Sequence, residues 1–178
     1  MIQSRWMNAL AFGAALVLQS QISNAADVWG LKAGTPDIQS ATTLAFGPED
    51  ILFVGDAKGA AVFAIATGNT SGDASKAAIN IDDLPAAIGN EIHANTVVIN
   101  DLAVNPRTGA AFLAVSADEK PAIVQIDGAG KISQLAMTDV KFSKAALKDA
   151  PEDKVVGEGR RQRNPRNDSI TDIAFFEN

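Results

Sequence analysis

The sequence predicts an all-β fold made of repeated antiparallel units, on three observations. One phrase recurs along the chain: Thr43-Leu44-Ala45-Phe46-Gly47-Pro48, then Asp101-Leu102-Ala103-Val104-Asn105-Pro106, then Thr171-Asp172-Ile173-Ala174-Phe175. Behind each of the first two copies come further short apolar runs rich in Val, Ile and Phe, set between turn formers. Hydrophobic residues make up 47% of the 178 and charged residues 20%, a balance that supports a buried core.

The first 25 residues read as an address rather than as part of the fold. Arg5 is the single charge before the apolar run Ala9–Leu18, and the polar stretch Gln19–Ala26 follows, with Ser23 and Ala25 at positions −3 and −1 of a cut after Ala25. That order is a secretory signal, and the run is shorter than the roughly 20 residues that a membrane span needs. A periplasmic or extracellular location is expected, with no membrane span in the mature protein. The alternative is an uncleaved interfacial helix. Cleavage leaves 14 basic against 21 acidic residues, a formal charge of −7. Such a surface repels phosphate backbones, so nucleic acid is not an expected partner. There is no cysteine, which excludes disulfides, thiolate metal sites and a cysteine nucleophile.

Residues 26–178 form the repeat region. In the first unit, about 41–81, the opening strand leads through Gly47-Pro48-Glu49-Asp50 into Ile51–Val54. Pro presets φ for such a turn, and Gly tolerates φ > 0. Asp56-Ala57-Lys58-Gly59 reverses the chain into Ala61–Ile65, and Ala77–Ile81 is the expected fourth strand. An insert follows, in which Leu84–Ile88 can form a short helix behind Asp82 or Asp83. In the second unit, about 99–136, Asn105-Pro106-Arg107-Thr108-Gly109 turns into Ala111–Val115. Asp118-Glu119-Lys120-Pro121 turns into Ala122–Ile126, and Asp127-Gly128-Ala129-Gly130 is a hairpin signal before Ile132–Leu135. In the second insert, Ser143 can cap a turn over Lys144–Leu147 ahead of a long polar loop.

Four consecutive antiparallel strands per unit describe a propeller blade, with the small residues Ala45, Ala103 and Ala174 suited to the crowded innermost strand. The expectation is about two blades plus the first strand of a third, at about 169–178. That is fewer than the roughly 4–8 blades that close a ring, so a truncated chain is expected, the alternative being several short chains assembled into one ring. A small β-sandwich with chance similarity between strands is the competing architecture.

Residues 37–178 resemble the start of secreted bacterial β-propeller proteins of uncharacterised function. The resemblance is carried by Leu44–Pro48 with Leu52–Asp56, by Ile99–Pro106 and by Ser169–Phe175. The phrase Ala45–Pro48 with Leu52–Asp56 is, more loosely, similar to NHL-type, gluconolactonase-like and quinoprotein-like repeats. These families include scaffolds, binders, lactonases and dehydrogenases, so the likeness implies an architecture and no activity.

Few residues carry chemistry. Asp101 and Asp172 precede the first strands of units two and three, where propeller side chains can line the mouth of a central channel. They are the candidate metal residues, for Ca²⁺, which takes about 6–8 oxygen ligands. The first unit has Thr42-Thr43 there instead of an acid. The alternative role is an aspartate that binds backbone amides and locks one blade to the next. His93 is the only histidine, with no Gly-x-Ser-x-Gly elbow in the chain, and reads as a loop residue. Arg160, Arg161, Arg163 and Arg166 form a basic cluster in a polar loop without interleaved aromatics, which reads as a solvated loop rather than as a docking site for an acidic partner. No catalytic set and no organic cofactor is expected.

The expected function is therefore an exported binding or interaction scaffold, with a protein or small molecule as ligand. The alternatives are the N-terminal part of a metal- or cofactor-dependent propeller enzyme of the lactonase or quinoprotein kind, and a fragment that does not fold independently.

Overall fold

The computed structural model describes residues 29–176, so the export signal read over residues 1–25 lies outside it. Two antiparallel sheets carry the fold. Sheet A has the order β1-β9-β4-β3-β2, with β1 Lys32–Gly34, β2 Thr43–Phe46, β3 Ile51–Asp56, β4 Ala61–Ala66 and β9 Val140–Ala146. Sheet B is the simple meander β5-β6-β7-β8, with β5 Val97–Val104, β6 Ala111–Ala117, β7 Lys120–Ile126 and β8 Ile132–Gln134. Among the described residues a single α-helix, α1 (Leu84–Ile92), comes between them in the chain, started by the Asp83 carboxylate, which accepts the Ala86 amide at 3.0 Å.

β3, β4, β6 and β7 form strands because both of their faces find cover. Alternate residues of β3 and β4 (Leu52, Val54, Phe63, Ile65) face Phe112, Ala114 and Ile123 of sheet B in the main core. Phe46 meets Phe112 edge to face at 5.2 Å between ring centres. The outer face of sheet B packs Leu113, Val115, Val124 and Ile126 against Ile88, Leu84 and Ile92 of the helix. On the outer face of sheet A, Ile51 and Phe53 lie under Trp29 and Leu31. Over the described residues the fold is thus two stacked antiparallel sheets, all-β apart from one α-helix and short 3₁₀ turns. Among the described residues they do not close into a ring.

Three local expectations are corrected. Ala77–Ile81 forms no strand; the place beside β4 is taken by β9, from beyond the second unit. The reason is tertiary packing: β9 brings Phe142 against Phe63, with ring centres 6.1 Å apart, whereas Ile79 stays exposed and only Ile81 reaches a core. The same strand replaces the turn expected over Lys144–Leu147. Finally, Thr171–Phe175 is not a strand. It crosses the outer face of sheet A, where Phe175 stacks on Phe53 at 6.0 Å, so it has no strand edge to pair with.

Polar residues tie the turns between the sheets. The buried Asn105 amide donates to Asp50 at 2.9 Å, and the Arg107 guanidinium pairs with the same carboxylate. Thr108 and Asn69 complete this clasp at 2.5 Å. Opposite it, the fully buried Asp56 carboxylate accepts the amides of Gln39, Ser40 and Gly59, each at 2.8 Å, and the Ser40 hydroxyl at 2.9 Å.

Candidate functional site

A groove lies between the connection from β1 to β2 and strands β7 and β8 of sheet B. Its apolar lobe, about 200 Å³, is walled by Pro36, Ile38, Ala41, Ile123 and Met137. Its polar lobe, about 320 Å³, holds His93, Asp118 and Lys120. The lobes share Pro121, Ala122 and Gln134 and so adjoin at that rim, the apolar one on the sheet A side of sheet B and the polar one on its helix side.

Each wall is fixed by its own chemistry. The 36–41 wall hangs on Asp56, whose bonds to the Gln39 and Ser40 amides hold that irregular backbone in place. His93 ends α1 in the left-handed region (φ 56°), and the β6–β7 turn places Asp118 and Glu119 there too (φ 46° and 65°). The exposed Asp118 carboxylate turns to the neighbouring 95–96 segment. It accepts the Thr96 amide at 2.9 Å and the Asn95 amide at 3.1 Å. These backbone bonds hold its pKa below the ordinary carboxylate value. Lys120 is exposed and makes no ion pair among the described residues, so its ammonium is available to a ligand. The groove can hold an apolar body in one lobe and a polar or anionic head in the other.

The sequence-derived candidates lie elsewhere, with one exception. Asp101 accepts the Leu102 amide at 2.8 Å on one oxygen and the Leu44 amide of sheet A at 2.7 Å on the other. Both of its oxygens are thus engaged by backbone amides, one of them from the other sheet. Asp172 accepts the Ile173 amide at 2.8 Å. Among the described residues no group of three or more His, Asp or Glu side chains is placed to hold a metal ion. Arg160, Arg161 and Arg163 are exposed and Arg166 is half-buried; Arg163 pairs backbone to backbone with Val156, and Arg166 donates to the Pro151 carbonyl. His93 is the exception: it lines the groove, without a nucleophile beside it. Sequence reading missed Pro36, Ile38 and Met137, which carry no motif and matter only through the packing of distant segments.

Among the described residues no helix is long and apolar enough to cross a membrane. Comparison with protein-family models, with curated proteins and with solved structures returns no match.

Proposed function

We propose that this chain is an exported binding module built from propeller-type units, and that its ligand is a small molecule or peptide end with an apolar body and an anionic head, held in the groove between the units. The observation that carries this reading is an apolar lobe that adjoins, at the shared rim Pro121, Ala122 and Gln134, a polar lobe with an available ammonium. Pockets of this kind, mostly apolar with a few placed polar groups, are the usual form of a small-ligand site. The unit assignment is supported by the matched meanders β2–β3–β4 and β5–β6–β7 and by the Asp101 tie between their first strands.

The test uses anilinonaphthalene sulfonate, an apolar anion of suitable shape, titrated against the purified chain and followed by amide chemical shifts. Saturable binding is expected, with shifts centred on Ile123, Gln134 and Met137. Gln134→Trp, which places a bulky ring at the junction of the two lobes on an exposed edge strand, should abolish it. Lys120→Ala should weaken it about 3-fold, the scale of one exposed charge contact. Binding that survives Gln134→Trp, or shifts centred elsewhere, would rule the groove out.

A further inference from the structure

We infer that this chain associates head to tail with further copies of itself, the bare half of β5 in one copy being covered by residues 171–176 of the next. The inference rests on the internal repeat and on the contact between the two units, and is independent of any ligand in the groove.

The contact between units shows what each first strand requires. In unit one, Leu44 and Phe46 face unit two: Leu44 is buried, and Phe46 packs on Phe112. The covering strand, β5, turns Asp101 and Ala103 toward unit one, where Asp101 takes the Leu44 amide and Ala103 joins the shared core. In unit two, the residues equivalent to Leu44 and Phe46 are Leu102 and Val104. They pair with Leu113 and Ala111, which places them on the outer face of sheet B. There they remain 48% and 50% exposed, because α1 packs against Val97 and Ile99 at the far end of the strand.

What would cover them is written once more in the chain. Asp172-Ile173-Ala174 repeats Asp101-Leu102-Ala103. Asp172 also repeats the local geometry of Asp101: one oxygen accepts the next residue's amide at 2.8 Å in both. The other Asp101 oxygen holds the neighbouring unit, whereas the other Asp172 oxygen has no protein partner among the described residues. Ile170, Ile173 and Phe175 are used on the chain's own sheet A, against Gly55 and Phe53. This leaves Asp172 and Ala174 exposed, the two residues whose equivalents in unit two face the preceding unit. Phe176 beside them is 81% exposed. One end of the stack therefore offers an uncovered first strand and the other end offers its cover. Two different, complementary surfaces give a heterologous contact, which closes into a ring or extends, depending on the rotation per copy.

The experiment measures mass by light scattering after gel filtration, over a range of concentrations, on the full chain purified from cells that express it. The parent chain should exceed monomer mass as concentration rises. L102D/V104D spoils one surface and D172A/A174R the other; each alone should be monomeric, with an unchanged far-ultraviolet spectrum. Mixed together, the two variants retain one intact surface each and should form a 1:1 pair that does not grow further. Asp172→Asn alone, which keeps shape but removes charge, should weaken association without changing the melting temperature. A parent chain that stays monomeric would overturn the inference. So would mixed variants that fail to pair, or association lost in L102D/V104D but intact in D172A/A174R, which would mean a symmetric contact through Leu102 instead.

Discussion

Asp118 and Asp56 show how much of this fold is positioned by single carboxylates that bind backbone amides. Neither makes an ion pair among the described residues, and each holds a segment with no regular structure: Asn95–Thr96 for Asp118, Gln39–Ser40 for Asp56. An Asp56 turn was legible from Asp56-Ala57-Lys58-Gly59, and Gly59 is required there, since a Cβ would strike the Asp56 carboxylate. The reach of Asp56 back to residues 39 and 40 was not legible, because a side-chain bond across 16 or 17 residues leaves no periodic trace in sequence. For Asp118 the consequence is a pH dependence of definite sign. Its amide bonds depress the folded pKa, so they stabilise the fold fully where both folded and unfolded chains are ionised, above about pH 4. As pH falls further the unfolded chain takes up its proton first, and that stabilisation is lost on the way down to the folded pKa. Asp118→Asn should therefore be less stable than the parent at pH 6, and the gap between their urea midpoints should narrow as the pH drops below about 4. A gap that stays constant through that range would show that the charge on Asp118 contributes nothing.

At the scale of elements, the strands that follow one another in sequence were legible and the one that arrives from a distance was not. β2 to β4, β5 to β8 and α1 each carry their own signal, in apolar runs, turn residues and an aspartate cap. β9 reads Val-Lys-Phe-Ser-Lys-Ala-Ala, with a single large aromatic, and its assignment to sheet A depends on Phe142 meeting Phe63. Local pattern favoured Ala77–Ile81 for the same position; tertiary packing reversed the choice. The bulge at Asn100 was equally hidden. It shifts the register between Ile99 and Asp101, so that Ile99 packs on the helix side while Ala103 turns to the shared core. The groove was hidden for a related reason, since its walls come from segments distant in sequence. A pair of substitutions tests which strand completes sheet A. Phe142→Ala should cost about 2–4 kcal/mol, below a fully buried phenylalanine because the site is partly open. Ile79→Ala, at an exposed loop position, should change stability by less than about 0.5 kcal/mol. Urea denaturation measures both, and comparable losses would mean that Ala77–Ile81 contributes as a strand after all.

For the whole molecule the question is whether two sheets that read as two repeat units behave as one body. Repeat proteins with weak contacts between units unfold piecemeal, since their stability is a sum of unit and interface terms. Here the interface is not weak. The main core draws Leu52, Val54, Phe63 and Ile65 from sheet A and Phe112, Ala114 and Ile123 from sheet B, with no separate core inside either sheet on that side. The chain also crosses twice: it leaves sheet A after β4 to build all of sheet B, then returns as β9. Sheet A therefore cannot be complete until the chain has passed through sheet B, and sheet B cannot cover Phe112 without sheet A. Asp101 and the Asp50–Asn105 clasp add polar ties at opposite ends of the same interface. The expected behaviour is a single cooperative transition. Phe112→Ala should lower stability by about 3–5 kcal/mol, the cost of a large cavity in a buried aromatic site. Because the loss falls on a shared core, hydrogen exchange of β3 amides and of β6 amides should accelerate by the same factor, although the substitution lies in β6. Acceleration confined to sheet B would show two separable units, each stable alone, and would favour a chain of independent blades over one two-sheet body.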